Sequence, residues 1–188
     1  MPETPGDRYT ASRQALHWIA ALLIISMFPL GSIMARTDSD TLRTTLYGVH
    51  AAIGLLIAVL AVVRIVLRRR DPVGPPPGLP RWNRVLRENV HRLALFVPLV
   101  LALTGVGTIA QNDLGPILQS GGARTVPATL DEAGAQSGHR LIARIYIAIL
   151  VLHVAGVVRH QIGKGDVLSR MGVRAFAGKG GREGSTSS

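Results

Sequence analysis

Four long apolar stretches, separated by polar segments, make up most of the first 160 residues of this chain. Three stretches carry no Asp, Glu, Lys or Arg, namely residues 14–35, 44–63 and 93–112. The fourth is free of charge from residue 145 to residue 158 and reaches a similar length when it starts near His139 and includes Arg144. About 20 helical residues cross a hydrocarbon core of about 30 Å. The pattern therefore predicts an all-α fold, a transmembrane bundle of four helices.

The composition agrees with a membrane protein and excludes several kinds of site. Of the 188 residues, 47% are apolar and only 17% are charged. The chain has no cysteine, which excludes disulfides, thiolate metal sites, a cysteine nucleophile and a covalently attached c-type haem. Any cofactor must be held by other ligands.

Basic residues are concentrated at the ends of the apolar stretches. The formal charge is +10, but a nucleic-acid partner is not expected, because these residues form no basic patch or stripe. Fifteen of the 21 basic residues lie in the N-terminal arm, between the second and third spans, and in the tail. The positive-inside rule then predicts that both termini are cytoplasmic. The other two connections carry four arginines: Arg36, Arg43, Arg124 and Arg140.

The connecting segments differ in composition. Residues 71–80 contain five prolines and are expected to form a stiff, extended linker. The long, Gly-rich connection 113–138 is expected to cover the outer face. We predict that residues 9–171 form the bundle domain and that residues 172–188 form a disordered cytoplasmic tail.

Six histidines in so apolar a chain are the most informative feature, because an ionisable residue in a membrane span is by default a functional-site hypothesis. By position along the spans, His17 and His153 lie near the cytoplasmic face, and His50 and His139 near the outer face. His139 and His153 are 14 residues apart, which is about 21 Å and nearly four helical turns, so they share a face at opposite depths.

Two depth-matched pairs, His50 with His139 and His17 with His153, suit two bis-histidine b-type haems held between helices. The glycines Gly54, Gly105, Gly107 and Gly156 leave room for a flat macrocycle, although ordinary helix packing explains them equally well. Arg64 and Arg144, inside apolar stretches, are candidates for pairing with haem propionates or for snorkelling to the interface.

Other roles for the histidines fit less well. A structural zinc site needs four ligands at one level, and each level has two. Proton relays usually include Asp or Glu, and the spans contain none. A single interfacial histidine is commonly an anchor at headgroup level. His91 is either a further candidate at the inner site or such an anchor, and we favour the anchor.

Four segments resemble the helices of the bacterial cytochrome b-561 family. They are YTASRQALHW from Tyr9, HAAIGLLIAVLAVVRIVLR from His50, NVHRLALFVPLVLALTGVG from Asn89 and HRLIARIYIAILVLHVAGVVRHQIGKGDVLSRM from His139. The most specific features are the LHW of helix 1, the His…Gly opening of helix 2, and the H-x13-H of helix 4 with its basic exit.

The resemblance implies a multi-pass di-haem protein of the bacterial inner membrane, with His17, His50, His139 and His153 as axial ligands. It extends to a family member that oxidises superoxide at the outer face and reduces ubiquinone, and there the position of His160 is associated with the quinone site. The resemblance thus implies two haem b groups, superoxide as donor and ubiquinone as acceptor.

Two alternatives remain beside this interpretation. In the first alternative, the chain is an electron-transfer subunit that docks a redox partner, either a dehydrogenase or a soluble cytochrome, and has no superoxide site of its own. A small channel or transporter is disfavoured by the absence of acidic residues in the spans. The four outer arginines are candidates for attracting superoxide, although the outer connections carry more acidic than basic residues overall.

Overall fold

The structure, a computed structural model, describes residues 10–70, 81–120, 123–127, 130 and 134–164. These residues form helices and contain no strand: α1 Ala11–Arg36, α2 Asp40–Arg70, α3 Arg81–Gln111, α4 Leu114–Leu118 and α5 Ala135–Lys164. All but α4 are long and apolar enough to cross a membrane. The predicted all-α bundle of four spanning helices is thereby confirmed. The proline-rich linker and the C-terminal tail lie outside the described residues.

The bundle has two opposite ends, here called the terminal end and the loop end. The terminal end contains the first residues of α1 and α3 and the last residues of α2 and α5. The loop end, opposite, contains the connection from α1 to α2, the short helix α4 and the first residues of α5.

Two helices extend well beyond the apolar stretches that predicted them. Helix α2 continues to Arg70, and α3 begins at Arg81, about three turns before the predicted start of its apolar part. Arginine and glutamate are good helix formers, so leaving the apolar region does not end a helix. The ion pair between Arg92 Nη2 and Glu88 Oε2, at 3.5 Å, adds i,i+4 support.

Neighbouring helices pack in the order α1, α2, α3 and α5, each directly on the next. The buried core is small and consists of Ala20, Ile24, Ile57, Tyr146 and Ile149. Large apolar side chains point outward instead, with Leu22 and Leu103 each 71% exposed and Ile162 83% exposed. An apolar exterior of this extent is suited to contact with lipid tails.

A hydrogen bond between α3 and α5 compensates for a proline. Pro98 lies inside α3, so the carbonyl of Ala94, four residues earlier, receives no bond from an N–H group at position 98. The Tyr146 hydroxyl of α5 donates to this Ala94 carbonyl at 3.1 Å. A buried backbone oxygen is thereby satisfied, and the two helices are joined.

The loop end is held together by Arg43, whose side chain is buried. Its guanidinium donates to Asp40 Oδ1 at 2.7 Å, to the Thr37 carbonyl at 2.8 Å and to the Val126 carbonyl at 3.4 Å. Val126 is itself fully buried, and its N–H donates to Thr44 Oγ1 at 2.8 Å. The sequence placed Arg43 among the arginines of the outer mouth. The structure instead gives it a structural role, fastening the outer connection to α2.

Replacing Arg43 with methionine is expected to destabilise the protein by about 1–3 kcal/mol, because the buried Val126 carbonyl and the partly buried Thr37 carbonyl lose their donor. Thermal unfolding of the purified protein in detergent measures the loss. Arg36→Met is the matched control, since Arg36 is exposed and a surface change of this kind stays within about 0.5 kcal/mol. Equal unfolding temperatures for the two variants would contradict the structural role of Arg43.

Candidate functional site

The structure brings together both histidine pairs inferred from the sequence. His50 of α2 faces His139 of α5 near the loop end, with ring centroids 6.1 Å apart. His17 of α1 faces His153 of α5 near the terminal end, with ring centroids 6.3 Å apart. All four side chains are partly buried in the bundle. One helix therefore contributes a histidine to each pair.

The spacing within each pair fits two imidazoles on opposite sides of one metal ion. With a metal–nitrogen distance of about 2.0 Å, trans imidazoles have centroids about 6.3 Å apart, whereas tetrahedral neighbours have centroids about 5 Å apart. The separations of 6.1 and 6.3 Å match the trans arrangement. Trans imidazoles are the axial ligands of a bis-histidine haem.

The backbones around each pair leave space between them. Helix α5 packs directly on α3, but within the described residues no Cα atom of α5 comes within 8 Å of α1 or α2. These are the two helices that carry the partner histidines, His17 and His50. The imidazoles thus face each other across gaps between helices, which is where a flat macrocycle fits.

The ring of His139 contacts helix α3 at Leu101, Thr104 and Gly105. Nδ1 of His139 lies 3.1 Å from the Leu101 carbonyl and 3.0 Å from Thr104 Oγ1, and a Cβ on Gly105 would lie 3.6 Å from His139 Cε1. A carbonyl only accepts, so Nδ1 carries the proton. Nε2 is then left with the lone pair that binds a metal, the usual arrangement of a ligating histidine.

The partner His50 is enclosed by α1. A Cβ on Gly31 would lie 3.7 Å from His50 Cε1. The His50 Nδ1 atom is buried and has no hydrogen-bond partner among the described residues. A buried polar atom without a partner is costly, so this ring lacks a group that completes its environment.

The four glycines expected to leave room for a macrocycle have different neighbours in the structure. Gly105 lies against His139 as expected, whereas Gly54 faces Met27, and Gly107 faces Ala135. A Cβ on Gly156 would meet no atom within 4 Å. Gly31 was missed because it lies near the far end of α1, where no sequence spacing links it to His50.

The terminal-end pair belongs to a larger group of side chains. His91 of α3 contacts His153 with ring centroids 5.1 Å apart, edge to face, and its Nδ1 donates to the Arg87 carbonyl at 2.8 Å. His91 was interpreted as an interfacial anchor. Because α3 begins at Arg81, His91 lies about three turns into the helix, beside His153, and its role stays a prediction. Its distance to His153 is too short for a trans pair.

Two arginines add positive charge at this end. Arg64 Nη2 lies 3.2 Å from His17 Nδ1. The guanidinium groups of Arg64 and Arg87 are both within electrostatic range of His153, and Arg87 Nη1 is buried with no partner in the described part of the chain. An anionic group beside the histidines would satisfy these donors, and haem propionates are anionic groups of this kind.

Two of the predicted site residues lie apart from these contacts. Arg144 is exposed on α5, between the two histidine levels, so its assignment to a propionate stays a prediction. His160 is partly buried near the terminal end of α5, seven residues after His153, and its assignment to a quinone site also stays a prediction.

A membrane-spanning four-helix bundle with facing imidazole pairs at metal-binding distance is typical of the membrane-bound b-type cytochromes. Comparison with known proteins gives the family. Residues 8–172 match the family model of prokaryotic cytochrome b561, and the chain belongs to this family. It is therefore a multi-pass electron-transfer protein of the bacterial inner membrane, and the family implies haem b as cofactor.

A curated relative supports the same assignment. The chain is 31% identical to cytochrome b561 homolog 2 of Escherichia coli (strain K12) over 175 residues, which cover 88% of this chain and 91% of the relative. The family match over residues 8–172 includes all four spanning helices.

Side chains of increasing size at Gly105 test whether the contacts between α3 and His139 are needed for haem binding. Gly105→Val is expected to reduce haem content, because its γ-methyl groups reach beyond a Cβ that would already lie 3.6 Å from His139 Cε1, and they displace the imidazole. Gly105→Ala is expected to retain haem, since its Cβ makes an ordinary van der Waals contact. Absorbance of the purified variants at the haem bands, divided by protein concentration, measures the change. Gly163→Val, at an exposed position of α5 where a Cβ would meet no atom within 4 Å, is the control, and equal haem loss in it would contradict these contacts.

Proposed function

We propose that this protein oxidises superoxide at the loop end and reduces ubiquinone at the terminal end, using two bound haem b groups. In balanced form, two superoxide anions, one ubiquinone and two protons give two oxygen molecules and one ubiquinol. The observation that carries the proposal is the presence of one trans-spaced imidazole pair near each end of a single bundle.

Four histidines would hold the cofactors: His50 with His139, and His17 with His153. Bound haem b supplies a reversible one-electron carrier at each level. The His139 ring is already in the tautomer that ligation requires. Arg64 Nη2 lies 3.2 Å from His17 Nδ1, and its guanidinium would be available to a propionate of a haem held by His17 and His153.

The charges of the bundle support one orientation in the membrane. Ten basic residues of the described chain lie at the terminal end: Arg13, Arg68, Arg69, Arg70, Arg81, Arg84, Arg87, Arg92, Arg159 and Lys164. The positive-inside rule then supports a cytoplasmic terminal end and an outer loop end. A C-terminal fusion to green fluorescent protein is expected to fluoresce, and a fusion to alkaline phosphatase to be inactive; the reverse result would invert the orientation.

Charge at the loop end favours an anionic substrate locally. Arg140 directly follows His139, and it is exposed together with Arg36 and Arg124. Among the acidic residues described there, Asp40 pairs with Arg43 at 2.7 Å, whereas Asp38 and Asp113 are exposed, so any attraction of an anion depends on the local position of Arg140 rather than on the net charge of this end. Exposed guanidinium groups near the His50–His139 pair would raise the local concentration of superoxide, an effect that salt weakens.

The terminal end offers donors for a quinone. His160, Arg159 and Lys164 lie within the last two turns of α5, following His153 on the same helix. A histidine donates a hydrogen bond or a proton to a quinone carbonyl, and neighbouring cations stabilise the reduced anion. Protons for ubiquinol would come from the cytoplasmic side.

Stopped-flow mixing with superoxide tests the proposal. Anaerobic purified protein is mixed with potassium superoxide and a soluble ubiquinone analogue, and the haem bands and ubiquinol are followed together. We expect rapid haem reduction and one ubiquinol for every two superoxide anions consumed, and superoxide dismutase is expected to abolish both. Haems that stay oxidised would reject the proposal and favour the electron-transfer subunit that docks a redox partner.

A further inference from the structure

A basic cleft lies between α2 and α3 at the terminal end and includes no histidine, although its Arg68 is within electrostatic range of His91 and Arg64. It has a volume of about 300 Å³ and is lined by Ile65, Arg68, Arg69, Arg92, Leu95 and Phe96. One half of this lining is cationic, and the other half is apolar. Neither the predicted haem ligands nor the predicted quinone residue line it.

The arginines of the cleft are poorly compensated. Arg92 pairs with Glu88 at 3.5 Å, and both side chains are substantially exposed, so this pair is weak. Arg68 and Arg69 make no hydrogen bond or ion pair to any residue that the structure describes. Three guanidinium groups around one cleft repel each other, and a bound anion with several oxygen acceptors relieves this repulsion.

The apolar part of the lining narrows the choice of anion. Leu95 is buried at the base, with 7% of its surface exposed, whereas Phe96 is 46% exposed. Phe96 and Ile65 belong to helices long and apolar enough to span a membrane, and the exposed Phe96 gives the cleft an apolar side that a hydrocarbon chain can contact. A ligand that fills it needs a phosphate for the arginines and a hydrocarbon chain for this side. Free inorganic phosphate meets only the first requirement.

We propose that this cleft is a binding site for an anionic phospholipid, with its phosphate between Arg68, Arg69 and Arg92 and an acyl chain along Phe96. Basic pockets between spanning helices at the cytoplasmic surface bind such headgroups. Three arginines and Glu88 leave a formal charge of +2. Diphosphatidylglycerol, which carries two phosphates, therefore matches the cleft better than a lipid with one phosphate.

Native mass spectrometry of the delipidated, haem-loaded protein in detergent tests the site. Diphosphatidylglycerol, phosphatidylglycerol and phosphatidylcholine are added separately. The cleft variant Arg68→Gln/Arg69→Gln/Arg92→Gln is compared with Arg70→Gln/Arg81→Gln/Arg84→Gln, which removes the same charge from the same end at exposed positions outside the cleft. Thermal shifts with each lipid and with inorganic phosphate are measured in parallel.

We expect one diphosphatidylglycerol to bind tightly to the unmodified protein and to the control. In the cleft variant its affinity is expected to fall roughly 100-fold, about five-fold for each arginine. Inorganic phosphate is expected to give no thermal shift.

Three results would overturn the proposal. Equal losses in the two triple variants would show attraction by the whole basic surface rather than a site. Equal binding of phosphatidylcholine would show that charge does not select the ligand. Displacement of the lipid by a ubiquinone analogue would assign the cleft to the quinone. Because haem content and superoxide reactivity are not read in this experiment, its failure leaves the proposed function intact.

Discussion

His139→Ala is expected to remove one of the two proposed haem b groups, and His153→Ala the other. Each substitution takes away one imidazole of a pair, and a bis-histidine iron that loses a strong axial ligand is no longer retained between the helices. Haem content per chain, measured as the pyridine haemochrome, should fall from two to one in each variant. Redox titration should show that the remaining haem differs between the two variants.

His160→Ala is the control for this pair of variants. It changes a histidine of the same helix that lies beyond both pairs, so its haem content should stay at two. Elution as a single symmetric peak from size-exclusion chromatography shows that a variant is folded. A folded His139→Ala or His153→Ala protein that still holds two haems would contradict the ligand assignment.

His50→Ala is expected to prevent reduction of the protein by superoxide while leaving one haem that dithionite still reduces. The loop-end pair is the site proposed to receive electrons from superoxide, and the terminal-end pair lies about 21 Å away along α5. Stopped-flow traces at the haem band measure this loss directly.

His17→Ala is the reciprocal variant. It should keep rapid reduction by superoxide at the loop end but lose the formation of ubiquinol, because the terminal-end pair is incomplete. Rapid superoxide-driven reduction in His50→Ala, or ubiquinol formation in His17→Ala at the unmodified rate, would contradict the proposed direction of electron transfer.

The main architecture and both histidine pairs could be predicted from sequence because helix geometry is regular. A separation of 14 residues between His139 and His153 fixes both their depth and their common face, whichever helices surround them. Depth along the spans then selects His50 as the partner of His139 and His17 as the partner of His153. In the structure the ring centroids of these pairs are 6.1 and 6.3 Å apart.

Other features depend on contacts that no spacing encodes. Arg43 looked like an exposed cation, but its burial depends on carbonyls of a distant connection around Val126. His91 was expected to begin its helix beside Arg92, but α3 begins at Arg81, and the contact of His91 with His153 depends on how α3 packs on α5. The approach of Gly31 to His50 is set by how α1 packs on α2. Each of these features requires the tertiary arrangement.

Near-infrared magnetic circular dichroism of the oxidised protein, recorded at known haem content, tests the pairing of histidines most directly, because its charge-transfer band reports the axial ligands of low-spin haem iron. Two haem b groups per chain, both low-spin with two histidine ligands, are the predicted result. One haem per chain, or a haem that is high-spin or has a ligand other than histidine, would contradict it.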